Sequence, residues 1–301
     1  MVDITHKNTT LRIATAQALV KVGHTDTLEA IRKGTVPKGN VLEMSRAAGL
    51  LAIKKTPDIL PDCHPLPIEF AQIEYALEEK TISIQCTIKT IYKTGVEVEA
   101  MHGASVVALN VYDMLKPIDK NIEIQNIKLL QKKGGKSDHP LPKIAIKTAV
   151  IVCSDSISQG KNKDKAGKEI IELLKPYPVI MSDYQVIPDE VEAIQTMVQK
   201  QVAQEVALLL FTGGTGLGPR DQTPEALIPL LDRRVPGIEE AIRSYGQNRT
   251  TYAMLSRSVA GFMGNTLILA VPGSTVGARE SIHAIFPAVL HVFDILKGNR
   301  H

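Results

Sequence analysis

The stretch "VALLLFTGGTGLGPRDQTPE", residues 206–225, decides the fold of half of this chain. Its first six residues are apolar without alternation, the pattern of a strand buried on both faces as in a parallel sheet. The chain then leaves the strand through Gly213, Gly214, Gly216 and Gly218, so bare backbone stands at the turn. Working outward, "IAIKTAVIVC", "VIMSDYQVI" and "NTLILAVPGS" repeat the strand pattern, and "KAGKEIIELL", "EAIQTMVQKQVAQ" and "EALIPLLD" lie between them at helical spacing. Strands alternating with amphipathic helices predict an α/β fold with a doubly wound, mostly parallel sheet. Ligands of such sheets gather at the carboxyl ends of the strands. Here those ends carry "CSDS" (153–156), "FTGGTG" (211–216) and "VPGS" (271–274).

A glycine-rich strand exit lets backbone N–H groups reach an anion, as phosphate-binding loops do. The loop lacks the Walker lysine and the G-x-G-x-x-G spacing, so it is neither a P-loop nor a dinucleotide fingerprint. Asp221 in the same loop and Asp189 in "VIPDE" place two carboxylates at neighbouring strand ends. With phosphate oxygens, such a pair suits Mg²⁺. The residues also allow a plainer reading, with Asp189 capping the next helix and Asp221 a loop residue held by Arg220.

Apolar periodicity lapses at "QKKGGKSDHPLPK", residues 131–143, and the expected domains are residues 1–142 and 143–301. In the first, "TISIQCTIK" alternates Ile82, Ile84, Cys86 and Ile88 with polar residues, a strand with one wet face, and "IEFAQIEYAL" pairs with it as a hairpin. "NVLEMSRAAGLLAIKK" and "VEVEAMHGASVVALNVYDMLK" read as helices that stop before Pro57 and Pro117. The mixture predicts an α+β domain. Lys38 precedes the first helix, His64 sits in "LPDCHPLP", Glu97 and Glu99 open the long helix, and Asp113 and Lys116 close it. Asp113 follows the two glutamates by 14 to 16 residues, about 21–24 Å along a helix. One chain therefore cannot bring both helix ends into one pocket unless a second copy contributes.

The chain has 301 residues, and 35 Lys plus Arg stand against 32 Asp plus Glu, without a basic tract. Charge makes no case for nucleic acid or a membrane surface, and small-molecule partners are expected. Cys63, Cys86 and Cys153 lie far apart with no C-x-x-C pair, which suits a reducing compartment. "MVDITHKNTT" has no apolar signal segment, and a cytoplasmic location is expected.

In the second half "CSDS", "IPDE", "FTGGTGLGPRDQTPEA", "VPGIEEAIR", "MLSRSVAG" and "LILAVPGS" resemble, in that order, the molybdopterin-binding MoaB/MogA family. The resemblance implies adenylylation of molybdopterin by Mg·ATP with release of pyrophosphate. It gives Asp189 and Asp221 the metal and catalytic roles and Gly213, Gly214, Thr215 and Gly216 the phosphate cradle. Glu240, Ser256, Gly273 and Ser274 would contact pterin or phosphate. A second reading makes this half a non-catalytic pterin-binding or oligomerising module.

In the first half "PKGNV", "AGLLAIKKTPDILPDCHPLP", "KTGVEVEAM", "GASVVALNVYDMLK" and "LLQKKGGKSD" resemble the MoaC family, cyclic pyranopterin monophosphate synthase. The resemblance implies a ferredoxin-like fold, hexamers with sites at dimer interfaces, and no cofactor. The implied reaction converts 3′,8-cyclo-7,8-dihydroguanosine 5′-triphosphate to cyclic pyranopterin monophosphate and pyrophosphate. Lys38, Lys116 and Lys136 would neutralise phosphate, Asp113 would transfer protons with His64, and Asp62, Cys63, Glu97, Val98 and Glu99 would line the substrate site. Arg12 and Lys54 would be further anion contacts. The two halves together imply a bifunctional enzyme of molybdenum-cofactor synthesis whose two steps are not consecutive.

Overall fold

The computed structural model describes residues 1–135, 138, 141–142, 144–296 and 298. The chain divides into two compact units, Met1–Asp138 and His139–His301. The expected contact Lys136 lies outside the described residues.

The first unit runs β1 (Thr10–Lys21), α1 (Thr25–Lys33), α2 (Val41–Lys54), α3 (Thr56–Ile59), β2 (Phe70–Glu78), β3 (Thr81–Tyr92), α4 (Glu97–Leu115) and β4 (Glu123–Lys133). Its four strands form one antiparallel sheet in the order β2-β3-β1-β4. The expected hairpin is β2 against β3, with Ile73 opposite Cys86 and Tyr75 opposite Ile84. Sequence reasoning did not find β1 at the middle of the sheet, whose buried face includes Ala14, Ala16, Ala18 and Val20. Alanine favours helices and is depleted in strands, so the run carries little strand signal. Its use is in packing: small side chains on the strand admit α4, whose Ala100, Ala104, Val107, Ala108 and Val111 are fully buried in the same core. Helix α4 runs unbroken over 19 residues, which keeps its first and last turns apart.

The second unit runs β5 (Ile146–Cys153), α5 (Asp155–Ser158), α6 (Ala166–Leu174), β6 (Val179–Ile187), α7 (Val191–Ala203), β7 (Leu208–Thr212), α8 (Thr223–Leu227), β8 (Arg233–Arg234), α9 (Pro236–Gln247), β9 (Val259–Met263), β10 (Thr266–Val271), α10 (Thr275–Ile285) and α11 (Val292–Leu296). The sheet order is β6-β5-β7-β10-β9-β8. The first four strands in that order are parallel neighbours, whereas β9 pairs antiparallel with both β10 and β8 at one edge. The sheet is therefore mixed and mostly parallel. Its central strands bury both faces: Leu208 and Leu210 of β7 enter a core with α6, α9 and α10, and Leu209 and Phe211 enter another with α7 and α8. The chain steps from β5 out to β6 and then returns to β7 on the other side of β5, which opens a crevice at the carboxyl ends of β5 and β7. No helix is long and apolar enough to cross a membrane among the described residues.

Candidate functional site

In the second unit, loops from the carboxyl ends of β5, β6, β7 and β10 bring together Asp155, Asp189, the glycine loop and "PGS". The loop has the backbone its glycines suggested. Gly213 and Gly214 take φ of 106° and 61°, in the left-handed region. A Cβ on Gly214 would overlap the Thr223 hydroxyl and stand 2.7 Å from Asp189 Oδ1, and one on Gly216 would stand 2.7 Å from Asp221 Oδ2. The glycines thus lie directly against both carboxylates. Thr223 Oγ1 donates to Gly213 O at 2.9 Å, and Arg257 donates to Gly216 O at 2.7 Å and Asp221 O at 2.6 Å. These bonds hold the loop open. Arg257 is also ion-paired with Glu225. Sequence reasoning missed both residues, because the loop atoms they hold are backbone carbonyls that no side-chain motif signals.

Asp189 does not cap α7; that position belongs to Glu190, which makes no side-chain cap bond. Its Oδ1 is buried without a hydrogen-bond partner among the described residues. Its backbone N–H donates to Asp155 Oδ1 at 3.1 Å. Burial, followed by the charges of Asp155 and Asp221, pushes the Asp189 carboxyl up to about 6. Asp221 accepts from Gly218 N–H at 2.8 Å. Arg220, expected on Asp221, is instead ion-paired with Asp155. Among the described residues no group of three or more His, Cys, Asp or Glu could hold a metal ion by itself; the donors at this loop are the Asp189 and Asp221 carboxylates beside glycine backbone, and any divalent cation here would need phosphate or water oxygens as its other ligands.

Two cavities flank this loop, and Gly214, Gly273 and Ser274 line both. The larger, about 680 Å³, adds Thr215, Gly216, Asp221 and Ser256; the other, about 510 Å³, adds Asp189, Gly213 and Ser154. Ser274 caps α10 through Gly277 N–H at 3.1 Å, and Ser256 Oγ lies 3.1 Å from Ser258 Oγ. Glu240 lines neither cavity and is exposed on α9; its neighbour Glu239 is the buried one, bonded to Arg234 and to Ala260 N–H. Helical phase decides this, since adjacent residues point about 100° apart.

The raised pKa of Asp189 has a consequence for stability. The folded state holds this proton at pH values where the unfolded chain has released it, so stability falls as pH rises from about 4 through 6. In metal-free buffer, Asp189→Asn is expected to stabilise the protein at pH 7.5 by on the order of 1 kcal/mol, allowing for solvent screening of a half-buried group. The transition of this unit should rise by about 2–4 °C, and the gain should shrink at pH 5. Thermal unfolding at both pH values measures it, and an unchanged or lower midpoint at pH 7.5 contradicts it.

In the first unit the site residues form two clusters at opposite ends of α4. At the carboxyl end, Lys116 Nζ lies 2.8 Å from Asp113 Oδ1 and Lys38 Nζ 2.6 Å from Asp113 Oδ2. Lys38 also donates to Asp113 O at 2.9 Å. The bonds to Lys116 and Lys38 pull the Asp113 carboxyl down to about 2. At the amino end, Glu99 is only 2% exposed and accepts from the Cys63 thiol at 3.2 Å. Burial raises the Glu99 carboxyl, and burial with the Glu99 bond pushes the Cys63 thiol up to about 12. His64 Nε2 bonds Val2 O at 2.8 Å, Glu97 is ion-paired with Lys132, and Asp62 and Val98 are exposed. Arg12 is buried and spends its guanidinium on Tyr92 O and Lys93 O, while Lys54 is exposed.

Comparison with known proteins matches the MoaC family over residues 1–135 and a probable molybdopterin binding domain over residues 149–291. A cyclic pyranopterin monophosphate synthase of Pelobacter propionicus is 50% identical over 46% of this chain and 86% of its own length. The solved molybdopterin biosynthesis enzyme MoaB of Thermus thermophilus is 41% identical, with a TM-score of 0.49, over 51% of this chain and 98% of that one. The molybdenum cofactor biosynthesis bifunctional protein of Chlorobaculum tepidum is 38% identical over the whole of this chain and 96% of its own. With both halves matched in one relative along its full length, the chain belongs to the family of bifunctional molybdenum cofactor biosynthesis proteins.

Proposed function

We propose that the first unit converts 3′,8-cyclo-7,8-dihydroguanosine 5′-triphosphate to cyclic pyranopterin monophosphate and pyrophosphate, and that the second binds molybdopterin and adenylylates it with Mg·ATP. For the first unit, the order β2-β3-β1-β4 with its βαββαβ course supports a ferredoxin-like fold. The single observation that carries the reading is the lysine-clasped Asp113. Two ammonium groups on one carboxylate are a resting arrangement that a triphosphate can claim, and as the lysines turn to phosphate the carboxylate regains basicity. Glu99 and Cys63 stand at the other end of α4, so a complete site takes one helix end from each of two copies. Met44, Leu51, Val98, Leu109 and Tyr112 are exposed apolar residues on α2 and α4, which supports association of copies, as a hexamer by the family resemblance.

For the second unit the carrying observation is the unpartnered Asp189 Oδ1 against the glycine loop. Asp189 and Asp221 would hold Mg²⁺, whose bound charge would stabilise the α-phosphate as it is attacked. The loop N–H groups would orient phosphate, and Ser256, Gly273 and Ser274 would meet the pterin phosphate or ring. The test is pyrophosphate release from ATP on adding molybdopterin to the full-length protein. Asp221→Asn should cut that release by about 10²-fold or more while pterin affinity, read by fluorescence titration, changes less than about threefold. Wild-type protein that binds pterin without releasing pyrophosphate would establish the binding-module reading instead. Equal loss of binding and release in Asp221→Asn would make Asp221 a structural loop residue.

A further inference from the structure

The larger cavity of the second unit has a polarity that its glycine end does not explain. Three charged side chains line it: Asp221, Arg243 and Glu280. Asp221 accepts from Gly218 N–H, and Arg243 lies 3.8 Å from Glu239. Glu280 makes no hydrogen bond or ion pair among the described residues, although it is half-buried.

Its place in α10 says what it faces. Ser274, Gly277, Glu280 and Ser281 line the cavity in helical steps of three and four. Ser274 stands beside the glycine loop, and Glu280 lies six residues further on, about 9 Å along the axis. The walls also include the apolar Ile242, Leu255 and Val276. The cavity of about 680 Å³ therefore has bare glycine backbone at one end, apolar walls, and an unengaged carboxylate on α10. A carboxylate repels phosphate, so a ligand seated with phosphate at the loop must present N–H donors to Glu280.

Resting on the reading of this cavity as a pterin site, we infer that Glu280 is the specificity-determining residue that accepts the paired ring N–H and 2-amino donors of the ligand's aminopyrimidinone edge. Two such donors in one plane match the two oxygens of a carboxylate. A site built to satisfy substrate N–H groups strongly rejects an analogue that lacks them, because its own acceptor is then buried without a partner.

The probes are a 6-hydroxymethylpterin phosphate and the corresponding lumazine, in which oxygen replaces the 2-amino group, titrated by fluorescence into the full-length protein. Wild type is expected to prefer the pterin by at least tenfold. Glu280→Gln, a substitution that keeps helix propensity, should lose that preference to within threefold, with displacement by inorganic phosphate unchanged. A variant that keeps the wild-type preference, or a wild type that has none, overturns the inference and leaves the pterin site standing. A wild type that binds neither probe overturns the pterin reading and this inference with it. A variant whose circular dichroism or unfolding midpoint departs from wild type is replaced by Glu280→Asp, which should retain part of the preference; loss of all of it with phosphate binding intact would count against bidentate acceptance.

Discussion

Asp113→Asn is expected to lower formation of cyclic pyranopterin monophosphate by about 10²–10⁴-fold, the range of a lost general acid–base group. The change keeps the shape and both lysine contacts within reach but removes a charge that Lys116 and Lys38 grip at 2.8 and 2.6 Å. Asp113 is half exposed, so the unfolding midpoint should stay close to wild type. Because its carboxyl is held at about 2, the free enzyme should show no acid limb from this group in kcat/KM above about pH 4. The geometry adds a second arm. Asp113 and Glu99 sit at opposite ends of α4, so Asp113→Asn mixed with Glu99→Gln should regain activity in hybrid interfaces that contain one intact set. Near-normal turnover of Asp113→Asn would remove it from the chemistry. Failure to recover activity after confirmed subunit exchange would remove the shared site.

Gly214→Val should abolish both pterin binding and pyrophosphate release, unlike Asp221→Asn, which should separate them. At φ 61° a β-branched residue is strained whatever the surroundings. The surroundings are also full, since the first carbon of the side chain would overlap the Thr223 hydroxyl and stand 2.7 Å from Asp189 Oδ1. Thr223 bonds Gly213 O and its N–H bonds Gly214 O, so displacing it undoes the turn as well as blocking the anion path. Backbone strain and overpacking together cost about 2–4 kcal/mol, and a fall of several degrees in this unit's transition should accompany the loss. Retained pterin affinity in a folded Gly214→Val protein would show that phosphate does not approach the loop at this point.

Legibility in the sequence followed the kind of physics involved. Buried parallel strands announce themselves as continuous apolar runs, and β5, β7 and β10 are where those runs stand, while the edge strand β6 showed through the apolar residues at its two ends. Strands β8 and β9 did not, because Arg233–Arg234 is too short for any period and "VAGFM" follows a loop without its own turn signal. Strand β1 was hidden by its alanines, whose value lies in what they let α4 approach. In the site, glycines and carboxylates were visible because their residue types are rare in such company. Asp155 was visible only as part of "CSDS", and Arg257 and Thr223 not as site residues, because they act on groups far along the chain or on backbone atoms. Arg220 could be paired with Asp221 by proximity in sequence, yet its partner is 65 residues away at Asp155.

By itself the sequence determined the two-part organisation at the level of pattern, the α/β character of the second half, the family through its ordered motifs, and the glycine loop with Asp189 and Asp221. Those are local matters of period, backbone freedom and residue type. Tertiary structure alone decided that Asp189 leaves an oxygen unpartnered, that Glu240 faces away from the cavities while Glu280 lines one, and that Lys38 closes on Asp113 across 75 residues. Helical phase, burial and long-range pairing set these outcomes, and each depends on where other segments lie in space.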